Sequence, residues 1–487
     1  MAGGSKAFFT MEDAKIAFNL FCCVYGIGTL GMPANFSRAG PLIAVCAMIF
    51  MAFANVYASV VCSKVMLVAP RSVRTFGDLG EWCMGKPGRY LVTLAQMGVC
   101  LMVPAAFLVL GGILLDGLFP GAFKPATWII LMAASCAPIC LTPTLKEGAG
   151  AAFAGCLGTI IADVIGVAVL IHGMRGHPPV PSPDVTFEQV AITFGNLSLA
   201  YGAGIVIPAL QRQHSEPARM PRVIGVTLSF ISVLFLILAS TGYSAVGCQI
   251  SGNLLFTIYS NPQVGMTKLG FKSDWGMVVL AFLFMQLHIQ IAFSVILHPA
   301  FYLFERLVLG MHKKKTDDVE ALNYAASKTP GDEFNARQSK GSVVSMADIE
   351  KENDDEEEEA LEYKGNAIKY ITLRLVMITV LTIVSIVLKD HFIDLTDFVG
   401  ASAISLSCII LPITFYFKKM WTQIPVWEKA AGSLVVLVCL VLSVYVSYKT
   451  GKSLFSPHKA SPTDPKFPFC APEYEFELYY NATAAGN

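Results

Sequence analysis

The chain has 487 residues, of which 54% are hydrophobic and 14% charged, with 35 Lys and Arg against 35 Asp and Glu. Soluble domains carry about 25% charged residues, so a solvated, surface-rich enzyme is excluded as the starting expectation, and a zero net charge offers nothing to a nucleic-acid partner. The balance is also uneven: residues 311–365 hold 15 acids and 8 bases, leaving 20 acids and 27 bases elsewhere, the pattern of a polytopic membrane protein with one long aqueous loop.

A bilayer core needs roughly 20 apolar residues in helix. Eleven segments qualify, at 14–34, 41–66, 90–118, 126–144, 150–172, 189–210, 223–246, 275–304, 368–388, 396–417 and 429–448. Residues 1–12 form a tail before the first span. Pro138, Pro143 and Gly148 separate the fourth span from the fifth. With the N-terminus inside, the short inner segments hold 14 Lys and Arg and the short outer loops hold 6. That bias sets the orientation and places the C-terminal tail, 449–487, outside or in a lumen. Asn481-Ala482-Thr483 in that tail is a candidate glycosylation site.

The first span reads Phe18-Asn19-Leu20, then Tyr25-Gly26-Ile27-Gly28-Thr29-Leu30-Gly31-Met32-Pro33. The sixth reads Phe194-Gly195-Asn196-Leu197, then Tyr201-Gly202-Ala203-Gly204 and Pro208. Both carry Phe, Asn-Leu and Tyr-Gly-x-Gly before a proline, and they cross the membrane in opposite directions. This is the trace of an inverted repeat with two broken helices, the best sequence pointer to a transporter binding site. Paired glycines with proline downstream weaken the helical hydrogen-bond ladder. The break bares amides at the positive end of a half-helix, which suit a carboxylate. Close helix packing is the other use of Gly-x-Gly in a membrane.

The run from Tyr25 to Pro33 resembles the first-helix Val-Gly-x-Gly-x-Leu-x-x-Pro signature of the amino acid/auxin permease family, over about residues 13–448. Tyr25 stands where many members carry a small or branched residue. The resemblance implies an all-α, leucine-transporter-like fold: a first repeat over 13–172, a second over 189–417 interrupted by 311–365, and an eleventh helix at 429–448. It also implies secondary transport of amino acids coupled to H⁺ or Na⁺, without an organic cofactor. The substrate carboxylate is then expected on the backbone amides near Gly26 to Gly28, within a substrate-binding stretch of Tyr25, Gly26, Ile27, Gly28 and Thr29. Its ammonium is expected near Tyr201, Gly202, Ala203 and Gly204. Gln96 joins Tyr25 and Tyr201 in shaping the side-chain pocket.

Asp163 lies mid-span in the fifth segment, and an ionisable group at that depth is a candidate proton carrier or ion ligand. The eighth span carries Gln286, Gln290, Ser294 and His298 at steps of four, one slanted polar stripe expected to face the translocation path, with His288 pointing elsewhere. In the resembling fold this helix borders a sodium site made with the first helix, which puts Ser294 and Thr29 forward. His298 is a candidate titrating group. Asp116, Glu305, Arg306 and Arg374 near span ends are expected to snorkel or anchor.

Ten of the 13 cysteines fall within or at the ends of spans, and Cys83 lies on the reducing inner side. Cys248 and Cys470 are in outer segments and form a candidate disulfide. The 311–365 insertion is too charged to fold alone and is expected as a disordered cytoplasmic loop, either a plain solvated linker or one that meets cytosolic regulators, with Ser339, Ser342 and Ser345 as candidate phosphorylation sites. No metal-ligand or nucleophile constellation appears in the spans, which argues against an intramembrane enzyme. The leading reading is a multi-pass amino acid symporter of the plasma membrane or a vacuolar or lysosomal membrane. The alternative is an amino acid sensor that signals through the acidic loop.

Overall fold

The computed structural model describes residues 8–142, 148–177, 179–180, 182–202, 204–261, 265–311, 363–455 and 470, with the backbone alone at 148–152. Ala203, Asn481, the three loop serines and residues 312–362 of the acidic insertion lie outside the described residues. Among those described, the chain is helical throughout, with isolated β-bridges at Pro183–Cys470 and Ser260–Thr267.

The first span is two helices, α1 (Met11–Val24) and α2 (Met32–Ala39), joined by a 3₁₀ turn and bent by 53°. Thr10 starts α1 with a capping box closed by Asp13. Gly40, at φ 73°, turns the chain into α3 (Pro41–Val68). There follow α4 (Phe76–Met84), α5 (Lys86–Leu118), α6 (Pro125–Cys140) and α7 (Gly148–Gly173).

The second half opens with α8 (Phe187–Ala200), a 3₁₀ turn at Gly204–Val206 and α9 (Ile207–Gln213), whose Pro208 sits in its first turn. Then come α10 (Met220–Val246), the short α11 (Leu254–Ile258), α12 (Trp275–Phe304) and α13 (Ala367–Val387). The tenth span starts as α14 (Phe392–Val399), passes through two π-helical turns at Gly400–Ile404 and Leu406–Ile410, and ends as α15 (Leu411–Met420). The last helix is α16 (Val426–Phe455).

Nine helical runs among the described residues are long and apolar enough to cross a membrane, or ten with the bent first pair. The remaining expected span is α6, whose 16 residues fall short of roughly 20. Pro138 near its end removes a backbone donor, and the helix closes at Leu141.

Helix α12 packs on α7 and α5, while α10 packs on α3 and α2. Glycines let the two broken regions approach closely. A side chain on Gly400 would collide with the Gly195 carbonyl, so the tenth span lies directly on α8. Buried ion pairs pin both ends of the bundle. Arg38 Nη1 on α2 meets Asp397 Oδ2 on α14 at 2.9 Å. At the opposite end, Asp13 receives Arg219 Nε at 2.9 Å and lies 2.9 Å from His214 Nε2.

Glu305 and Arg374 do not snorkel. Arg374 Nε donates to Glu305 Oε1 at 2.7 Å with both side chains fully buried. Arg374 also donates to the Cys140 and Thr142 carbonyls, and Tyr363 donates to Glu305 at 2.9 Å. The reason is the join between α12 and α13: Met311, Tyr363 and Tyr370 form a small core there that closes over the pair. Cys248 and Cys470 are bonded, with their Cα atoms 5.2 Å apart.

Candidate functional site

The break after α1 begins at Tyr25, which leaves helical geometry at φ −79°, ψ 91°, and Gly26 is fully extended. The helix resumes as a 3₁₀ turn at Ile27. Among the described residues, the amides of Gly26, Ile27 and Gly28 have no backbone partner, while Thr29 N–H donates to the Gly26 carbonyl at 3.0 Å. In a continuous helix those three amides would bond the carbonyls of Cys22, Cys23 and Val24. The break therefore bares donors at the start of one half-helix and acceptors at the end of the other. The dipoles add, positive toward the donors and negative toward the acceptors.

The residues that carry both sets, Cys22, Cys23, Val24, Gly26, Ile27 and Gly28, line one cavity of about 180 Å³. Gly202, Ile205 and Val206 from the second break close another side, with Ile404 of the π-helical turn. Val99, Val103 and Phe107 of α5 supply an apolar wall. The volume is below the roughly 300–1,000 Å³ of drug-sized pockets and suits a small solute. The cavity extends along α1, α7 and α12 toward the Met11 end of the bundle, as far as Val295 and Pro299.

The two breaks touch. A Cβ on Gly28 would lie 2.7 Å from the Ala200 Cα, the last residue of α8. Asn35 Nδ2 donates to Asn196 Oδ1 at 2.9 Å, and Gly31 leaves room for that Asn196 amide. Gly28 thus serves both packing and the cavity. The second break is differently used: a Cβ on Gly204 would lie 2.7 Å from the Cys408 Cα, so this break packs directly against the π-helical turn of the tenth span.

Tyr25 and Tyr201 turn away from the cavity onto Phe235 of α10, at ring separations of 5.9 and 5.3 Å. Tyr201 also donates to Ser232 at 2.7 Å. Gln96 is half-buried on α5 and is not among the cavity-lining residues.

Asp163 on α7 is 1% exposed. The hydroxyls of Tyr25 and Thr29 face it. Neither closes on it: the Thr29 hydroxyl donates to the Gly26 carbonyl at 2.9 Å, and both Asp163 oxygens lack a partner. Asp163 therefore sits behind the break, beside two hydroxyls that face it without bonding to it.

The polar stripe of α12 is absorbed elsewhere. Gln286 donates to the Gly111 carbonyl of α5 at 2.7 Å, and Ser294 to its own helix at Ile291. His298 packs near Phe301, and Gln290 is half-buried. The face of α12 toward the cavity is His288, Ile291, Ala292, Val295, Ile296 and Pro299. It follows helical spacing from His288, the histidine that the stripe had set aside.

A family model described as "Transmembrane amino acid transporter protein" matches residues 14–451. Among curated relatives, amino acid transporter ANT1 of Arabidopsis thaliana is 21% identical over 453 residues, covering 89% of this chain and 90% of that protein. Amino acid transporter AVT1I of the same plant is 24% identical, covering 50% of this chain and 61% of its own length. Vacuolar amino acid transporter 7 of Saccharomyces cerevisiae is 27% identical, covering 50% and 51%. The match thus spans about half to three fifths of two of these relatives. The solved structure of MhsT with L-phenylalanine superposes with TM-score 0.51 at 11% identity, covering 92% of this chain and all of that one, a likeness of fold. That fold is leucine-transporter-like and all-α. The family match runs from the broken first span through to the last helix, and the chain belongs to the transmembrane amino acid transporter protein family.

Proposed function

We propose that the protein is a secondary active transporter of small zwitterionic amino acids. The observation that carries this reading is the set of unpartnered amides at Gly26, Ile27 and Gly28, opening on a cavity of about 180 Å³. The substrate carboxylate accepts from those amides. Its ammonium meets the freed carbonyls of Cys22, Cys23 and Val24, so one break holds both charges of a zwitterion. The relatives named above are transporters; none is named as a sensor or an enzyme.

In this reading, alternating access works through the buried ion pairs. The Arg38–Asp397 pair closes the bundle at the end carrying α2, and the hollow runs toward the Met11 end. With the N-terminus inside, we read this as a form sealed on the outer side, with its hollow directed inward. Opening outward requires Arg38 and Asp397 to part. The Asp13–Arg219 link ties α1 to the start of α10, so α1 and that region move as a body.

Asp163 is the coupling group in this reading. A buried carboxylate without partners is costly unless it holds a proton or a cation. Tyr25 and Thr29, whose hydroxyls face it, belong to the break, so in this reading its protonation and substrate occupancy act on the same segment. We assign the coupling ion as H⁺. Uptake into proteoliposomes with an amino acid panel, under separately imposed H⁺ and Na⁺ gradients, tests the reading. Accumulation driven by an inward H⁺ gradient supports it, and the absence of uptake for every amino acid under both gradients overturns it.

A further inference from the structure

His288 lines the same cavity, yet the reading above gives it no task. Its Nδ1 lies 3.1 Å from the Gly155 carbonyl. A carbonyl only accepts, so Nδ1 carries the hydrogen, and in the neutral ring Nε2 then presents a lone pair. That Nε2 is buried and has no partner. It sits 3.3 Å from where a Cβ on Gly26 would stand, directly beside the proposed carboxylate seat. Phe107 meets the ring edge-on at 5.9 Å and fixes its plane. A buried acceptor without a donor is destabilising, and its persistence at a cavity wall calls for a ligand that supplies the donor.

In the proposed placement the zwitterion's own groups are engaged elsewhere and do not supply that donor. The carboxylate is itself an acceptor and is repelled by a lone pair. The ammonium is served by the carbonyls of Cys22, Cys23 and Val24. The remaining substituent on the substrate's α-carbon is its side chain, and the wall it meets is otherwise apolar, with Val99, Val103, Phe107, Ile291 and Ala292.

We infer that His288 reads the substrate side chain, and that the preferred substrates are neutral amino acids whose side chain carries one hydroxyl or N–H donor on a small body. This rests on the amino acid transport reading and narrows it. Threonine and valine form the sharpest pair, since they differ by a hydroxyl for a methyl at nearly equal volume. A site with a buried acceptor rejects the analogue that lacks the donor.

The experiment uses the full chain in proteoliposomes and measures how threonine and valine compete with a transported radiolabelled amino acid. Threonine is expected to compete about tenfold or more better than valine. In His288→Leu that preference falls to near unity through loss of threonine affinity, with valine competition kept or improved, which also reports a folded protein. His288→Gln restores an acceptor and is expected to keep a preference for threonine. A wild-type protein that does not prefer threonine overturns the inference whatever the variants do. So does a folded His288→Leu protein that keeps the preference. Absence of uptake for every amino acid sinks the transport reading itself, a result distinct from uptake without discrimination.

Discussion

Gly28 and Ala200 meet at the crossing of the two broken spans, where a Cβ on Gly28 would stand 2.7 Å from the Ala200 Cα. Each belongs to one copy of the same motif, so the contact joins the two halves of the repeat at the proposed site. Gly202, by contrast, has no atom closer than 3.5 Å to its Cβ position, although it also lines the cavity.

This pair gives a discriminating test. Gly28→Ala forces the backbones apart at the crossing and is expected to lower uptake at least tenfold, with a fall in thermal stability of about 1 to 3 kcal/mol from overpacking. Gly202→Ala is expected to fold with unchanged stability. Melting curves in detergent beside initial uptake rates decide it. Equal tolerance at both positions would show that the two breaks are not held in contact during transport.

The Arg38–Asp397 pair predicts a different pattern. Both side chains are nearly inaccessible. Asp397→Asn leaves the Arg38 guanidinium without its carboxylate, and breaking one side of a buried pair costs about 3 to 5 kcal/mol. The double change Arg38→Met with Asp397→Leu removes both charges and is expected to recover most of that stability. It is not expected to recover uptake, because a closure that does not depend on paired charges has lost its means of opening. Restored uptake in the double variant would remove the pair from the gating scheme.

For Asp163 the two measurements are expected to move apart. Asp163→Asn keeps the shape and removes a carboxylate that has no partner, so stability is unchanged or raised. Uptake driven by an H⁺ gradient is lost, while exchange of internal for external amino acid persists. Gradient-driven accumulation by the Asn variant, equal to wild type, would place coupling elsewhere.

What was legible in the sequence follows a physical divide. The paired Tyr-Gly-x-Gly breaks were readable because glycine acts on backbone geometry, which is local. The depth of Asp163 was readable because hydropathy alone sets it. The partners were not. Gln286 and Ser294 looked like a pathway stripe by spacing, but Gln286 is spent on Gly111 of another helix and Ser294 on its own. His288 shares its helix with them, and only the placement of Gly155 and Gly26 reveals its free lone pair. Glu305 and Arg374 looked like anchors because their partnership spans the long insertion, which no local pattern reports. Tyr25 and Tyr201 looked like pocket walls because they adjoin the breaks, whereas Phe235 on a third helix claims both rings.

Cysteine labelling offers the most direct check on the direction in which the cavity runs. Cys23 is exposed and Cys22 half-exposed, and both line the hollow toward the Met11 end. Cys46 is also exposed but lies on α3, away from the cavity. Cys83 on α4, outside the spans, is buried and out of reach of a bulky reagent. A bulky, membrane-impermeant thiol reagent is therefore expected to inhibit uptake when applied from the side bearing the N-terminus and to have little effect from the other. Substrate at saturating concentration slows the inhibition, since it occupies the space beside Cys23. Cys23→Ser removes most of the sensitivity and Cys46→Ser leaves it intact. Inhibition that survives Cys22→Ser with Cys23→Ser, or that is equal from both faces, would mean the hollow does not lead to the inner side.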